Sequence, residues 1–154
     1  MNLERLNINV NGVPASGFVG SDDVFNNVAA RIDGPLPKEY IDFIMEVDGG
    51  HPEVGSFFRQ SEKTANPFSI DWFYTFSNPS IENINTALDG WGNVLGSMVL
   101  PIARDAGGNQ FCLSLTDAVP TVWVYLHDQS GEKIKLADSL QEFLAALTIN
   151  PDFI

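Results

Sequence analysis

The residues of this sequence that could carry chemistry are one cysteine, two histidines and several aspartates beside glycines or aromatic residues. A nucleophilic cysteine needs a neighbouring base and a third group that orients that base. Cys112 alternates with apolar residues in "QFCLSL", where a cysteine usually acts as a small packing residue. Of the histidines, only His127, which ends the next apolar run, is placed to activate it. The pattern therefore favours a packing role for Cys112, and we predict no catalytic residue.

Metal binding is not indicated by the histidines, because "DGGH" around His51 and "HD" at His127 are isolated and lack a second cluster at ligand spacing. Paired carboxylates could do general acid and base work or hold a divalent cation. The aspartates that lie near aromatic residues, glycines or loops are Asp71, Asp89, Asp105 and Asp117. Their spacing matches neither a calcium-binding loop nor a phosphate-binding loop. We therefore expect no metal and no other cofactor.

The segment "LPIARDAGGNQFCLSL", residues 100 to 115, places an acid, two glycines and an amide between two apolar runs. Glycines in such a place suit a backbone that approaches a ligand, and they equally suit a chain that turns at positive φ. The flanking apolar runs favour the turn. We predict that Asp105 to Asn109 is a hairpin connection in which Gly107 and Gly108 adopt positive φ.

The charge of the chain restricts its partners. Eight Lys and Arg residues against 20 Asp and Glu residues give a net charge of −12 at pH 7. Nucleic acid is not expected as a partner, since neutralising phosphates requires clustered Lys and Arg. An acidic surface keeps a protein soluble, and acids gathered on one face also steer a basic protein toward that face. The charge alone leaves both interpretations open.

Length and composition predict a single domain over residues 1–154, because 154 residues with 44% apolar side chains suffice for one core. No stretch approaches the roughly 20 apolar residues of a membrane helix, so membrane insertion is not expected. The N-terminus "MNLERLNINVNG" lacks the basic start and apolar run of a cleaved export signal. One cysteine cannot form an internal disulfide. These features predict a cytoplasmic protein.

Apolar periodicity predicts helices early and late in the chain. Ser21 is the expected cap of the first helix, and Gly49 is expected past the end of the second, where a left-handed stop is favoured. Pro79 is expected in the first turn of the third helix and Gly90 at its end, while Ser139 should cap the fourth. The helices are predicted within residues 21–35, 34–50, 78–92 and 137–148.

Strands are predicted between these helices from aromatic and β-branched composition. They are expected at residues 68–76, 97–104, 110–115 and 121–127, and the last three should form an antiparallel meander. Residues 51–67 are expected to be a long connection with at most one short strand. The order of elements predicts an α+β fold, with a mainly antiparallel sheet and helices packed around it.

Three landmarks in sequence resemble the SUKH superfamily of Smi/Knr-like domains. "LPKEYIDFIMEVDGG" is similar to the family's Leu-Pro, aromatic helix and Gly-Gly ending, with Asp48 where Asn is common. "VLPIARDAGGNQFCLSL" resembles its strand, Asp-x-Gly-Gly-Asn turn and strand. "VWVYLHDQSGEKIKLADSLQEFLAAL" resembles its last long strand and the helix that follows. Together the landmarks lie within residues 34–148.

The resemblance implies a SUKH-fold domain that has no enzymatic activity and binds another protein, often a toxin, in the producing cell. Such domains occur among immunity proteins of bacterial polymorphic-toxin and contact-dependent inhibition systems and in yeast cell-wall regulators. The family has no catalytic residues to carry over. Its recurrent turn residues correspond here to Gly49, Gly50, Asp105, Gly107 and Gly108, which the resemblance implies shape the scaffold.

Charge and resemblance together predict that the partner is a cognate toxin, with a basic nuclease as one candidate. Acids would speed capture, and aromatic anchors would hold the complex. Two alternatives stay open: a regulatory scaffold of the Smi/Knr type, and a small-ligand domain that stacks a sugar on Trp72 and Trp91. The side of the last predicted strand that carries Trp123, Tyr125 and His127 is either covered by a helix or offered to the partner. The residues expected to contact the partner are Asp71, Trp72, Asp89, Trp91, Asp105, Asn109, Asp117 and Asp128.

Overall fold

The computed structural model describes residues 2–59, 66–79 and 82–150, and within them helices pack around an antiparallel sheet. The helices are α1 (Asp23–Arg31), α2 (Lys38–Glu46), α3 (Ile84–Leu95) and α4 (Leu140–Ala146). The strands are β1 (Ile8–Val10), β2 (Val13–Pro14), β3 (His51–Pro52), β4 (Ser56–Phe57), β5 (Phe68–Ser69), β6 (Trp72–Phe73), β7 (Val99–Arg104), β8 (Gln110–Ser114), β9 (Thr121–Leu126) and β10 (Glu132–Ala137). This architecture confirms the predicted α+β class.

The central sheet has five strands in the order β10-β9-β8-β7-β6, and each neighbouring pair is antiparallel. The predicted meander of β7, β8 and β9 is confirmed, with Leu113 of β8 opposite both Leu100 and Val122. All three side chains are fully buried on what we call the first face of the sheet. Because side chains alternate along a strand, the residues between them lie on the second face.

The main core lies between the first face and helices α2 and α4. Phe43 of α2 packs edge-on against Phe73, with ring centroids 5.2 Å apart, and Phe143 of α4 lies 6.0 Å from Phe111. Each of these rings is at most 1% exposed. Aromatic pairs at such distances add about 0.5–1.5 kcal/mol each beyond the burial of their area, so the core fixes both helices on the sheet.

Helix α3 lies against the second face, where Trp91 contacts Tyr125 with ring centroids 6.0 Å apart. The helix begins after Asn83, whose side chain accepts the backbone N–H of Asn85 at 2.8 Å. The prediction of Pro79 in the first helical turn is therefore wrong, because Pro79 precedes the cap by several residues. The second face is partly covered by a helix, which leaves only part of it open to a partner.

The predicted end of α3 at Gly90 is also wrong, since the helix continues to Leu95 and ends before Gly96, whose φ is 86°. Ile84, Leu88 and Leu95 form a buried stripe that extends past Gly90. Burial of this stripe outweighs the roughly 1 kcal/mol that a glycine costs inside a helix. Apolar periodicity that continues past a glycine therefore predicts the end of this helix better than the glycine does.

Two small sheets, with orders β2-β1-β3 and β4-β5, surround the central one. The hairpin of β1 and β2 was not among the predicted strands. Its two-residue loop is Asn11-Gly12, with φ values of 52° and 84°, between the paired residues Val10 and Val13. Asn-Gly is a strong hairpin signal because both residues tolerate positive φ, so the sequence did carry information about this hairpin.

The single strand predicted over residues 68–76 is wrong, because the chain changes sheets in the middle of it. Ile70 donates its backbone N–H to Gly55 beside β4, at 2.9 Å, whereas Asp71 donates to Arg104 of β7, at 2.8 Å. β5 therefore belongs to the small sheet and β6 to the edge of the central sheet. The preceding connection contains two short strands, β3 and β4, rather than at most one.

β10 was also not predicted, and it forms the other edge of the central sheet. Its sequence "EKIKLA" alternates charged and apolar residues, and Lys133 and Lys135 are exposed. Charged side chains, especially lysines, discourage edge-to-edge pairing with other chains. The position on an edge strand thus gives these lysines a structural explanation.

The Gly-Gly pair joins the central sheet to the N-terminal one. Gly50 and Phe73 exchange backbone hydrogen bonds of 3.0 and 2.8 Å. Gly49 has φ 82°, so the expected positive φ is confirmed. Its expected role as the stop of α2 is wrong, because the helix ends at Glu46 and Gly49 lies three residues beyond it, in the crossing of the sheets. A Cβ at Gly49 would lie 2.8 Å from backbone atoms of Phe73 and Thr75.

Asp48 ties the end of this helical segment to the chain that follows β6. Its buried carboxylate accepts the backbone N–H groups of Phe76 and Ser77 at 2.6 and 3.0 Å, and it also accepts the Ser77 hydroxyl. A carboxylate with several donors is stable when buried because charge-assisted hydrogen bonds replace its hydration.

The two predicted serine caps had different outcomes. Ser139 is confirmed, since its hydroxyl accepts the backbone N–H of Glu142 at 3.0 Å. Ser21 is not the cap of α1, because the residue before the helix is Asp22, whose side chain makes no capping bond. A serine near the start of a helix is therefore not enough to predict a cap, because the backbone angles must also direct its side chain toward the free N–H groups.

The hairpin turn after β7 has one glycine at positive φ rather than two. Gly108 has φ 92°, as predicted, whereas Gly107 is not in the positive-φ region, so that part of the prediction is wrong. A Cβ at Gly107 would meet only the Asp105 carboxylate, at an ordinary 3.5 Å.

We expect Gly108→Ala to lower the free energy of unfolding by about 1–2 kcal/mol, because a residue with a Cβ is strained in the left-handed region. Gly107→Ala is the matched control and should change it by less than about 0.5 kcal/mol. Urea denaturation of both variants measures the difference. Equal losses would mean that the turn relaxes and that φ does not determine its stability.

Candidate partner-binding surface

One end of the central sheet collects most of the residues predicted to bind a partner. β7 runs into the turn from Asp105 to Asn109, β8 leaves that turn, and β9 returns to the same end before β10 begins. β6 also reaches this end, since Trp72 lies opposite Arg104. We call the result the turn-end surface, made of Asp71, Trp72, Glu82, Trp91, Arg104, Asp105, Asn109, Tyr125, His127 and Asp128.

The turn itself is held together by side chains. The Asp105 carboxylate accepts the backbone N–H of Asn109 at 2.8 Å and its side-chain amide at 2.9 Å. Asn109 in turn accepts the backbone N–H of His127 at 3.0 Å, and His127 Nε2 lies 2.7 Å from the carbonyl of Gly107. A carbonyl can only accept, so this contact requires a proton on Nε2. Asp105 and Asn109 thus fix the turn against β9.

A charged groove of about 720 Å³ lies beside β6. Its walls are formed by Asn9, Asn11, His51, Asp71, Trp72, Glu82, Asn83, Thr86 and Arg104. Arg104 lies 3.2 Å from the Asp71 carboxylate and 3.0 Å from that of Glu82. Two carboxylates share one guanidinium, which leaves this cluster with an excess of negative charge.

His51 belongs to the same groove and is positioned by the backbone. Its Nδ1 lies 2.6 Å from the carbonyl of Asp71 and 4.0 Å from the Asp71 carboxylate. As with His127, the close carbonyl requires the proton on Nδ1. His51 therefore helps to orient Asp71. Among the described residues, no group of three or more His, Cys, Asp and Glu is arranged to hold a metal ion.

An aromatic patch lies on the second face, where α3 meets β9. Trp91 of α3 packs edge-on against Tyr125 and against His127, with centroid distances of 6.0 and 5.7 Å. Next to these rings is an apolar pocket of about 180 Å³, lined by Leu95, Val99, Cys112, Ser114, Trp123, Tyr125 and Lys133. The Trp91, Trp123 and Tyr125 side chains are all partly exposed, so they can contact a partner without unfolding of the core.

Cys112 forms part of the floor of this pocket and is 3% exposed. Burial raises the pKa of its thiol to about 12, whereas nucleophilic attack requires the thiolate. The thiol therefore stays protonated near neutral pH, in agreement with the packing role that the sequence indicates.

The predicted residues Asp89 and Asp117, and the aromatic residue Tyr74 next to β6, lie apart from the turn-end surface. Asp89 points to the opposite side of α3, where it pairs with Arg31 at 2.6 Å. Asp117 lies in the β8–β9 loop at the far end of the sheet. Tyr74 is 2% exposed and donates its hydroxyl to Gln110 at 2.6 Å, so it belongs to the core. The predicted contact of Asp89 and Asp117 with a partner stays a prediction, without geometric support from the other residues.

Sequence reasoning missed Arg104 and Glu82 as parts of the site. Arg104 stands directly before the Asp105 turn, and its cross-strand position opposite Trp72 follows from the pairing of β6 with β7. Glu82 precedes α3 and meets Arg104 only through the tertiary fold. The single signal in the sequence was an isolated arginine between an apolar strand and a turn.

Within residues 2–59, 66–79 and 82–150, no helix combines the length and apolar character needed to cross a bilayer. The chain is similar to a curated protein of Bacillus subtilis (strain 168), the SPbeta prophage-derived uncharacterized protein YokK. The two are 21% identical over 156 aligned positions, which cover 86% of this chain and 77% of the relative. The SMI1 / KNR4 family (SUKH-1) matches residues 20–146. The match takes in all four helices, the central sheet and the turn-end surface, and the chain therefore belongs to the SMI1 / KNR4 family (SUKH-1).

Proposed function

We propose that this protein is a non-enzymatic immunity protein that binds a basic toxin in the cytoplasm of the producing cell. The observation that carries the proposal is the juxtaposition, at one end of the sheet, of a charged groove and an aromatic patch. In the strand order, the Asp105–Asn109 turn joins β7 to β8 and so lies between β6, beside the groove, and β9, which carries Tyr125. Hydrogen bonds tie this turn to β9. A protein partner that covers this turn would contact both.

Electrostatics favour a basic partner. Asp71 and Glu82 lie in the groove, and Asp128 lies exposed in the loop after β9. Arg104 neutralises only part of this charge, and the whole chain carries −12. Such a field raises the rate of association with an oppositely charged protein. A nuclease that must attract phosphate is one class of toxin with the required positive surface.

Charge speeds association, and the aromatic patch would give the complex a long lifetime. Interface energy is concentrated in a few aromatic or Arg anchors that become fully desolvated. Trp91, Trp123 and Tyr125 are partly exposed and close together, and Trp91 is held in place by its edge contacts with Tyr125 and His127. Rings that are already ordered lose little conformational freedom when a partner covers them.

The comparisons support this proposal in a general way. The resemblance of the three sequence landmarks to SUKH domains implies protein binding, frequently to a toxin. The similar Bacillus subtilis protein is described as prophage-derived. A regulatory scaffold would use the same surface but would lack a toxic partner.

Co-expression with the product of the adjacent upstream gene tests the proposal. We expect that product to arrest growth alone, growth to be restored by this protein, and the two to co-purify as a stable complex. Trp91→Ala combined with Asp128→Lys should weaken protection. Glu46→Lys changes the charge of an exposed residue at the end of α2, outside the turn-end surface, and should protect as well as the wild type. If the neighbour is harmless and does not bind at micromolar concentration, the immunity function is wrong.

A further inference from the structure

We propose that the charged groove beside β6 is a binding site for one arginine side chain of the protein partner. The inference rests on the proposed function and specifies the chemistry of one part of the turn-end surface. Its basis is the charge of the groove, the fixed positions of its carboxylates and the unpaired indole N–H of Trp72.

The charges of the groove are unbalanced in favour of a cation. Asp71 and Glu82 both pair with the same guanidinium, that of Arg104, at 3.2 and 3.0 Å. Both carboxylates remain partly accessible, with 39% and 41% of their side chains exposed. A second guanidinium that enters the groove would complete the pairing of the two acids. Arginine suits this role because its planar fork can bond carboxylates through two parallel N–H groups.

The carboxylates are held in position before any partner arrives. Asp71 donates its backbone N–H to Arg104 at 2.8 Å, and its carbonyl lies 2.6 Å from His51 Nδ1. The carbonyl of Glu82 accepts the backbone N–H of Thr75 at 2.9 Å. Because both backbones are fixed, a cation in the groove does not have to order the loops that carry its ligands.

Trp72 forms the aromatic wall of the groove and carries a polar group that has no partner. Its Nε1–H is buried and has no hydrogen-bond partner in the described part of the structure. Buried polar groups without a partner are rare in native proteins. In the proposed complex the indole turns so that this N–H donates to a main-chain carbonyl of the ligand. The ring face offers a cation–π contact to the guanidinium.

These features fit arginine within a polypeptide better than a free cation. The side chain supplies the charge for Asp71 and Glu82, and the adjacent main chain supplies the acceptor for Trp72. Asn9, Asn11 and Asn83 add amide groups to the groove wall, which can bond further main-chain atoms. The groove volume of about 720 Å³ accommodates one residue and its flanking peptide groups.

The three tryptophans of the chain make the test specific. The probe is Nα-acetyl-arginine N-methylamide, followed through the indole N–H resonances in ¹H–¹⁵N spectra of the intact protein, which are assigned with single Trp→Phe variants. We expect a saturable shift of the Trp72 indole, with little change at Trp91 and Trp123. The matched citrulline compound has the same shape without the charge and should bind at least about tenfold more weakly, since charge-assisted hydrogen bonds are roughly twice as strong as neutral ones.

Variants distinguish binding by the groove carboxylates from the effect of the protein's overall negative charge. Glu82→Gln should weaken binding of the arginine probe about tenfold by removing one charged acceptor. Glu39→Gln, an equal change of charge at an exposed position in the first turn of α2, should leave it unchanged. Equal responses to arginine and citrulline, a shift of Trp91 rather than Trp72, or no response at millimolar probe would each overturn the inference. A monosaccharide that shifts Trp72 where arginine does not would establish a sugar site instead.

The outcome is distinguishable from failure of the proposed function. If the toxin binds with wild-type affinity to Glu82→Gln and the arginine probe has no effect, the groove inference is wrong while immunity stands. If the probe binds in the groove but the neighbouring gene product does not bind the protein, the groove recognises arginine in a different partner and the immunity function is wrong.

Discussion

Gly49→Ala is expected to lower the free energy of unfolding by about 3 kcal/mol or more, one of the largest effects of a single methyl group in this protein. Two causes combine. The residue has φ 82°, which strains any side chain. The added Cβ would also lie 2.8 Å from the carbonyl oxygen of Phe73 and from the backbone of Thr75, which no side-chain rotation can relieve. The crossing between the central and N-terminal sheets would have to open.

Two glycines serve as matched controls for Gly49. Gly12 has nearly the same φ, 84°, but a Cβ there would have nothing within 4 Å, so Gly12→Ala should cost only about 1 kcal/mol. Gly90 is helical and equally unhindered, so Gly90→Ala should raise stability by about 0.5–1 kcal/mol. Urea titrations with a common slope measure all three. If Gly49→Ala and Gly12→Ala cost the same, the close approach of the backbones has no energetic importance.

Elements that depend on local interactions could be predicted from the sequence, whereas elements that depend on tertiary contacts could not. α2 and α4 were predicted well because their apolar periodicity and, for α4, the Ser139 cap are local properties. The run from Phe68 to Phe76 looked like one strand by composition, and only the hydrogen bonds of Ile70 and Asp71 to different partners reveal that it serves two sheets. Such a change of partner is decided by tertiary packing, which composition does not record.

The candidate site shows the same limit. Asp71, Trp72 and the Asp105 turn were selected by residue type and by neighbours in the chain, and they do lie at one end of the sheet. The groove around them depends on Arg104 pairing with Glu82, 22 positions away in sequence. α3 includes both Asp89 and Trp91. Because residues two positions apart in a helix point away from each other, these two side chains do not share a face.

Salt should reduce the rate of association with the toxin by at least about tenfold between 10 and 150 mM, roughly the range in which the Debye length falls from 30 to 8 Å. The dissociation rate should change little, because steering acts on the encounter and short-range contacts hold the complex. Asp71→Asn combined with Asp128→Lys should reproduce the slow association at low salt. Glu39→Gln combined with Glu46→Lys raises the net charge by the same amount on α2, outside the turn-end surface, and should have a smaller effect.

Trp91→Ala should do the reverse, leaving association nearly unchanged and accelerating dissociation by about 30-fold, the kinetic equivalent of the roughly 2 kcal/mol that defines a hot-spot residue. The physical reason is its position, since Trp91 packs on Tyr125 and His127 and its removal would cost both the anchor and the order of its neighbours. Stopped-flow or surface plasmon resonance kinetics with the neighbouring gene product measures both rates, and circular dichroism verifies that the variant folds.

An association rate independent of salt would contradict the steering argument. A Trp91→Ala complex with wild-type lifetime would place the anchor elsewhere, since an aromatic residue at the centre of an interface cannot be removed without faster dissociation.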